Sequence, residues 1–316
     1  MTRMEKNVNL QTAKILKNDE FYTTSEDIGK EMPYYLGFFR GKSVYCNCDD
    51  YRWSNFVGFF RENYDKLGLS GLTATCYDIG DGAWKYTYDG RAESVARLNG
   101  NGDFQSQECI RILDCSDVVV SNPPFSKFRA YIRQLMDHGK KFLVIGNQNA
   151  ITYKEVFPYI MNDEIWLGVS MNGANRWFYV PDDYGENEKA AGFRTEDGRN
   201  MLFVNSVVWF TNIENEKRNK PMALKRSMSD GEYKRYDNYD AIDVSRVKNI
   251  PYDYDGVMGV PISFLHKYCP EQFEIVGITE NAEYLRPMYI DGFQRYDRPY
   301  LDGKRMYSRL LIRKKQ

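Results

Sequence analysis

An α/β fold, built on a mostly parallel sheet covered on both faces, is what this 316-residue chain predicts. Three observations predict it. Strand-like and helix-like segments alternate through the first half of the chain. The strand segments, such as "DVVVS" and "KFLVIG", are nearly continuous apolar runs, the pattern of strands buried on both faces. Those runs also end on polar residues. In such sheets ligands bind outside the carboxyl ends of the strands. Asp49, Asp50, Asp78, Asp103 and Asn122 are therefore expected to line one edge together.

Taken in order, residues 1–32 are polar apart from an aromatic island, "NDEFYTT". "KSVYCNCDD" gives a first strand over 43–48, ending in acids. Trp53, Phe56, Val57, Phe60, Tyr64 and Leu67 recur at helical spacing before a glycine stop. "LTATCYD" is a second strand ending at Asp78. Residues 80–102 are glycine-rich and hold "WKYTYDG", read as a hairpin inserted between core elements. "GDF" at 102–104 precedes a short helix, "SQECIRILDC". "DVVVSNPPF" is a strand, "FRAYIRQLMDHGK" a helix and "KFLVIGNQ" a strand. Beyond 150, "EIWLGVS", "RWFYVP" and "NSVVWFTNI" read as strands, the first and last closing the same sheet as an antiparallel pair. The last two are joined by a polar loop, 181–200. From about 214 the composition turns polar and charged without strong periodicity, which predicts domains over 1–213 and 214–316.

Composition narrows the function classes. Apolar residues make up 42% of the chain, enough for a real core, and no apolar run approaches the roughly 20 residues that span a bilayer. The polar start predicts no signal peptide and a soluble, cytoplasmic protein with reduced thiols. The net charge of −1 excludes a globally basic surface, so any nucleic-acid contact must be local. The six cysteines and two histidines show no ligand set at fitting spacing; no metal is expected, and the cysteines read as small buried hydrophobes.

The stretch Asn122-Pro123-Pro124-Phe125, directly after an apolar strand, carries chemistry. Two prolines make a stiff turn and hold Asn122 extended. The Asn122 side-chain carbonyl and the Pro123 carbonyl are then two fixed acceptors with no competing proline donor. Such a pair suits an –NH2 group, and Phe125 offers an apolar face to a flat ring. An exocyclic base amine is a poor nucleophile because its lone pair is delocalised. Two acceptors on its hydrogens favour a tetrahedral nitrogen and stabilise the charge that develops during attack. The base must leave the duplex to reach such a site.

Asn-Pro-Pro-Phe after a strand resembles the catalytic motif of N6-adenine DNA methyltransferases. "DEFYT" (19–23), "VYCNCDD" (44–50), "NPPFSKFR" (122–129), "ITYKEVF" (151–157), "IWLGV" (165–169), "YDNYDAI" (236–242) and "DGVMGVPISFLHKYCPEQFE" (255–274) resemble the EcoRI-type adenine methyltransferases, over about residues 14–313. The resemblance implies a Rossmann-like fold that uses S-adenosyl-L-methionine, with a C-terminal target-recognition region. Asn122, Pro123, Pro124 and Phe125 match its catalytic motif. Phe21, Tyr22 and Thr23 resemble the segment that closes over the cofactor. Asp78 ends a strand where a carboxylate would hold a ribose diol. Asp103 and Phe104 are similar to residues that bond and stack the cofactor's adenine. At least one of Asp49 and Asp50 is expected beside the cofactor. The glycine-rich loop usual after the first strand of methyltransferases is missing, as in the EcoRI-type proteins.

Candidate phosphate contacts are basic. Residues 217–226 hold five Lys/Arg and no acid, including Lys225 and Arg226; residues 295–316 hold eight Lys/Arg against two Asp, with "RKKQ" reading as a solvated tail. Lys127 and Arg129 follow the catalytic turn and read equally as contacts to phosphates flanking a flipped base or as ordinary residues of an exposed first helical turn. The expected partner is double-stranded DNA. The chain reads as a monomeric modification enzyme, standing alone or paired with a separate restriction endonuclease acting on the same site. Two alternatives stay open: action on RNA or a protein glutamine amide, and an inactive DNA-binding relative.

Overall fold

The computed structural model describes residues 21–77, 82–180, 192–279 and 298–315. The chain forms two compact units, one from residues up to 148 with 168–213, the other from 149–167 with 214–316. Among the described residues no helix is long and apolar enough to cross a membrane.

The first unit is built on β1 (Ser43–Cys46), β2 (Gly71–Thr75), β3 (Trp84–Tyr88), β4 (Glu93–Arg97), β5 (Val118–Ser121) and β6 (Lys141–Asn147). Their order is β4-β3-β2-β1-β5-β6, followed by Val207–Thr211. β1 runs parallel to β2 and β5, and β5 parallel to β6. These are the apolar runs of the sequence, and every residue of β5 is buried. The segment 80–102, read as an inserted hairpin, forms one: β3 and β4 pair antiparallel, and β3 joins them to the sheet antiparallel to β2. Val207–Thr211 pairs antiparallel with β6, and the Gly168 amide donates to the Trp209 carbonyl at 2.9 Å. From β1 the chain passes to β2 on one side and returns to β5 on the other. That reversal of direction is where a parallel sheet opens a crevice between carboxyl ends.

Helices cover the sheet as their apolar spacing requires. Ser54 caps helix Asn55–Glu62 through the Phe56 and Val57 amides, and Phe56, Val57 and Phe60 are buried. Helix Phe128–Asp137 buries Phe128, Tyr131, Ile132 and Leu135 along one stripe. Ahead of β1, helix Ser25–Glu31 is pinned by a buried acid. Glu31 accepts from the Tyr35 hydroxyl at 2.9 Å and from the Val169 and Ser170 amides at 2.8 and 2.6 Å.

One glycine shapes the rim of the sheet. Gly102 has φ +72°, and a Cβ there would lie 2.0 Å from the Cys76 carbonyl oxygen at the end of β2. Only glycine lets the loop after β4 fold back this closely, which brings Asp103 and Phe104 to the carboxyl ends of the strands. Gly102→Ala is expected to cost roughly 2–4 kcal/mol of stability in urea unfolding, from the positive φ and the forced separation. Gly100→Ala, with open space at its Cβ, serves as the control and should change stability by less than about 0.5 kcal/mol.

The polar loop expected at 181–200 is not all loop. Phe193–Glu196 and Arg199–Val204 form an antiparallel sheet with Arg176–Tyr179. Asp197 and Gly198 both take positive φ, 49° and 74°, so "EDGR" is a two-residue hairpin turn of the type that Asp-Gly favours.

The second unit holds a sheet in the order Ile242–Asp243, Met258–Val260, Leu310–Lys314, Phe273–Ile278. Of "RKKQ", read as a solvated tail, Arg313 and Lys314 end a central strand, while Arg313 and Lys315 are exposed. Much of the basic character near it serves the fold. Arg309, 8% exposed, pairs with Asp243; Arg313 pairs with Glu274 and Lys314 with Asp255. Within 217–226, Arg218 bonds Asp163 and Glu214 and lies 3.8 Å over the Trp166 ring. Buried guanidinium groups need such partners. Cys46, Cys109 and Cys269 are buried as expected, whereas Cys115 is exposed.

Candidate active site

A cleft of roughly 630 Å³, counted with its open mouth, lies at the carboxyl ends of β1, β2 and β5. Asn47, Cys48 and Asp50 enter it after β1, and Cys76 and Tyr77 after β2. Gly102, Asp103 and Phe104 come from the loop after β4; Asn122, Pro124 and Lys127 follow β5. Phe21 and Tyr22 complete the lining.

Asp49 and Asp50 divide their tasks. Asp49 is turned into the protein, where Oδ1 accepts from the Ser54 hydroxyl at 2.7 Å and Oδ2 from the Ser121 hydroxyl at 2.6 Å. The Ser121 oxygen in turn accepts from the Cys48 amide at 3.2 Å. This network ties the end of β1 to the end of β5 and fixes the turn that lacks glycine. Asp50 lines the cleft, and its carboxylate clasps the Arg52 guanidinium through Nε at 2.9 and 3.1 Å.

Burial pushes the Asp49 carboxyl up to about 6, against the pull of its hydroxyl donors. A raised value means the folded state holds the proton more tightly than the unfolded chain. The stabilising contribution is present below about pH 4 and lost as pH rises through 6. About two pH units correspond to about 3 kcal/mol. Urea unfolding of Asp49→Asn and the unsubstituted protein from pH 4 to 7 should show the variant gaining relative stability by that order. A difference independent of pH would contradict this reading.

The catalytic-type turn is held from the N-terminal side. Asn122 is 6% exposed, and its Nδ2 donates to the Phe21 carbonyl at 2.7 Å. A carbonyl only accepts, so this bond fixes which way the amide points. Asn122 Oδ1 is left buried with no hydrogen-bond partner among the described residues. Pro123 is buried. The Pro124 carbonyl accepts from the Lys127 amide at 3.0 Å, closing a 3-10 turn over Phe125–Lys127. The Phe125 ring is half-buried, edge-on to Phe21 at 5.6 Å.

The segment at 21–23 is itself anchored. Tyr22 and Tyr179 exchange backbone bonds of 2.8 and 3.0 Å, and Asn55 Nδ2 donates to the Thr23 carbonyl at 2.6 Å. Thr23 is buried behind the lining, its hydroxyl without a partner.

The other expected contacts are distributed unevenly. Asp103 and Phe104 line the cleft, and Asp78 lies outside the described residues. Lys127, read equally as a phosphate contact or an exposed helical residue, folds inward because the 3-10 turn aims its stem at the cleft, and Nζ meets Asp103 Oδ2 at 2.7 Å. Arg129 is exposed in the next turn; Lys225 and Arg226 are exposed in the second unit. Sequence reading missed Asn47, Cys48, Cys76, Tyr77 and Ser121. Each adjoins a strand end that was singled out, and that adjacency was the available signal.

Residues of the turn and of the anchored segment, to which the resemblance assigns catalysis and cofactor binding, line one cleft. Residues 9–315 match the family described as "Adenine-specific methyltransferase EcoRI". The chain belongs to this family of adenine-specific methyltransferases. It is 42% identical to the type II methyltransferase M.EcoRI of Escherichia coli, over 97% of this chain and 99% of that protein. It is 37% identical to M.MgeORF184P of Mycoplasma genitalium, over 96% and 98%, and 37% identical to M.MpnI of Mycoplasma pneumoniae, over 96% and 97%. No solved structure gives a significant match. As a member of the family, the chain has a Rossmann-like α/β methyltransferase fold, with a central sheet that reverses direction at β1.

Proposed function

We propose that this protein transfers a methyl group from S-adenosyl-L-methionine to N6 of an adenine flipped out of duplex DNA. The observation that carries this reading is the buried Asn122 Oδ1, unpartnered among the described residues and fixed in orientation by the Phe21 carbonyl. A buried acceptor without a partner costs about 1–3 kcal/mol, and an incoming –NH2 relieves that cost. The Pro123 carbonyl is the second acceptor, and Phe125 supports the base through its ring. Together they draw on the N6 hydrogens, so the nitrogen lone pair is available where an amine in water would keep it in the ring.

The cofactor supplies an electrophilic methyl on a sulfonium. On this reading Asp103 accepts from its adenine amine, Phe104 supports the ring, and Phe21 and Tyr22 cover it. Asp50 lies in the lining, while Asp49 and Thr23 hold the frame behind it. Asp78, Arg129, Lys225 and Arg226 keep the roles expected of them: Asp78 on the ribose and the basic residues on DNA phosphate. Residues 1–213 carry catalysis and 214–316 target recognition. The protein acts as a monomer and protects its site from a separate endonuclease.

The test is direct. Purified protein is incubated with unmethylated duplex and cofactor labelled in the methyl group, and the DNA is digested to nucleosides. Label in N6-methyl-2′-deoxyadenosine is expected. Label in cytosine, or in RNA or protein but not in DNA, would overturn the reading.

A further inference from the structure

We propose that Lys127 is a positioning residue for the cofactor's adenine and acts through Asp103. The proposal rests on the cofactor reading above and adds a residue to it. Lys127 lies two positions past Phe125, where a basic side chain would ordinarily reach out to a phosphate. Here its Nζ turns in and meets Asp103 Oδ2 at 2.7 Å. The two side chains are only 29% and 24% exposed. The ammonium also stands 5.4 Å from the Tyr77 ring centroid and 5.8 Å from that of Phe104. All four residues line the same cleft.

The other Asp103 oxygen is fixed as well, accepting from the Gln105 amide at 2.9 Å. The carboxylate is thus held by one donor on each oxygen. Each oxygen keeps a further lone pair, which suits the exocyclic amine of an adenine. The ammonium offsets the desolvation of a carboxylate placed in a cleft beside two aromatic rings. Through its backbone, Lys127 also donates to the Pro124 carbonyl at 3.0 Å. One residue therefore braces both the adenine end of the cofactor cleft and the turn that carries Asn122.

The experiment compares Lys127→Met and Lys127→Arg with the unsubstituted protein. Calorimetric titration with S-adenosylhomocysteine, without DNA, reads the cofactor subsite alone. Lys127→Met should weaken binding about tenfold, and Lys127→Arg should restore it to within about threefold. The deaminated inosine form of the same compound, which lacks the amine, should bind both proteins about equally. In turnover, KM for the cofactor rises about tenfold in Lys127→Met while kcat stays within about twofold. DNA affinity and its salt dependence stay unchanged. Unaltered cofactor binding, with weaker DNA binding and a salt slope reduced by about one, would overturn the proposal in favour of a phosphate contact. Equal loss for the amine and inosine forms would overturn it in favour of a general packing role. Failure of the unsubstituted protein to bind the cofactor product would instead remove the underlying cofactor reading.

Discussion

Asn122→Ala should lower kcat for adenine methylation by about a thousandfold while cofactor and DNA affinities stay within a few fold. The magnitude follows from removing one preorganised hydrogen-bonding group aimed at developing charge. The selectivity for kcat follows from the geometry. Among the described residues Asn122 Oδ1 has no partner, so alanine leaves no described donor unsatisfied on that side. On the other side it frees only the Phe21 carbonyl. Asn122→Asp refines the test. A carboxylate keeps an acceptor for the base amine but has no proton to donate to the Phe21 carbonyl, and two oxygens facing each other repel. A loss between about tenfold and a hundredfold is expected, intermediate between the unsubstituted protein and alanine. Rapid-quench single turnover separates the chemical step from binding and release. A pure KM effect for either variant would contradict the assigned role.

Glu31→Ala should destabilise the first unit by roughly 3–5 kcal/mol, among the larger effects a single substitution produces. The Glu31 side chain is fully buried and accepts from three donors: the Tyr35 hydroxyl and the Val169 and Ser170 amides. Alanine leaves those donors without their charged acceptor and opens a void beside Gly168 and Trp209. Glu31→Gln retains one carbonyl acceptor and should cost about half as much. Guanidinium unfolding followed by tryptophan fluorescence reads this, since Trp209 is packed in the same core. Because Glu31 ends the helix that follows residues 21–23, the alanine variant should also weaken cofactor binding. A variant with unchanged midpoint would show that these bonds are matched by bonds to water in the unfolded chain.

Much of the site was legible in the sequence for a physical reason. A parallel strand buried on both faces must be apolar along its length, so the first polar residue marks where it leaves the sheet. That rule marks the ends of β1 and β5, and Asp49, Asp50 and Asn122 follow within a few residues of them. It did not say which way an acid turns. Asp49 and Asp50 are adjacent, and only the positions of Ser54 and Ser121 decide that Asp49 faces inward. Ser121 lies 72 residues from Asp49, beyond any local pattern. The course of the Lys127 side chain was hidden for a similar reason. Its sequence context, just past a proline turn, resembles an exposed helix start, but the 3-10 turn at Phe125–Lys127 rotates it toward Asp103.

The edges of the fold were harder to read. β4 is an exposed edge strand and β3 beside it is half-exposed, so the hairpin was legible but its place in the main sheet was not. The hairpin at 193–204 carried an Asp-Gly pair in plain view, and so did Tyr300–Arg305, where Asp302 and Gly303 repeat the same positive φ values. In the second unit, short strands and an ion-paired interior replace long apolar runs. Arg309 and Asp243 look like surface residues in sequence but are 9% and 10% exposed at their side chains.

The central claim is that Asn122 presents a fixed acceptor to an adenine amine in DNA. The measurement that tests it most directly is single-molecule sequencing of DNA from a methylation-free bacterial host expressing either the unsubstituted protein or Asn122→Ala. N6-methyladenine in one enriched sequence context is expected with the first and none with the second. Soluble, cofactor-binding protein that leaves the host DNA without N6-methyladenine, or an Asn122→Ala variant that methylates as fully as its parent, would contradict it.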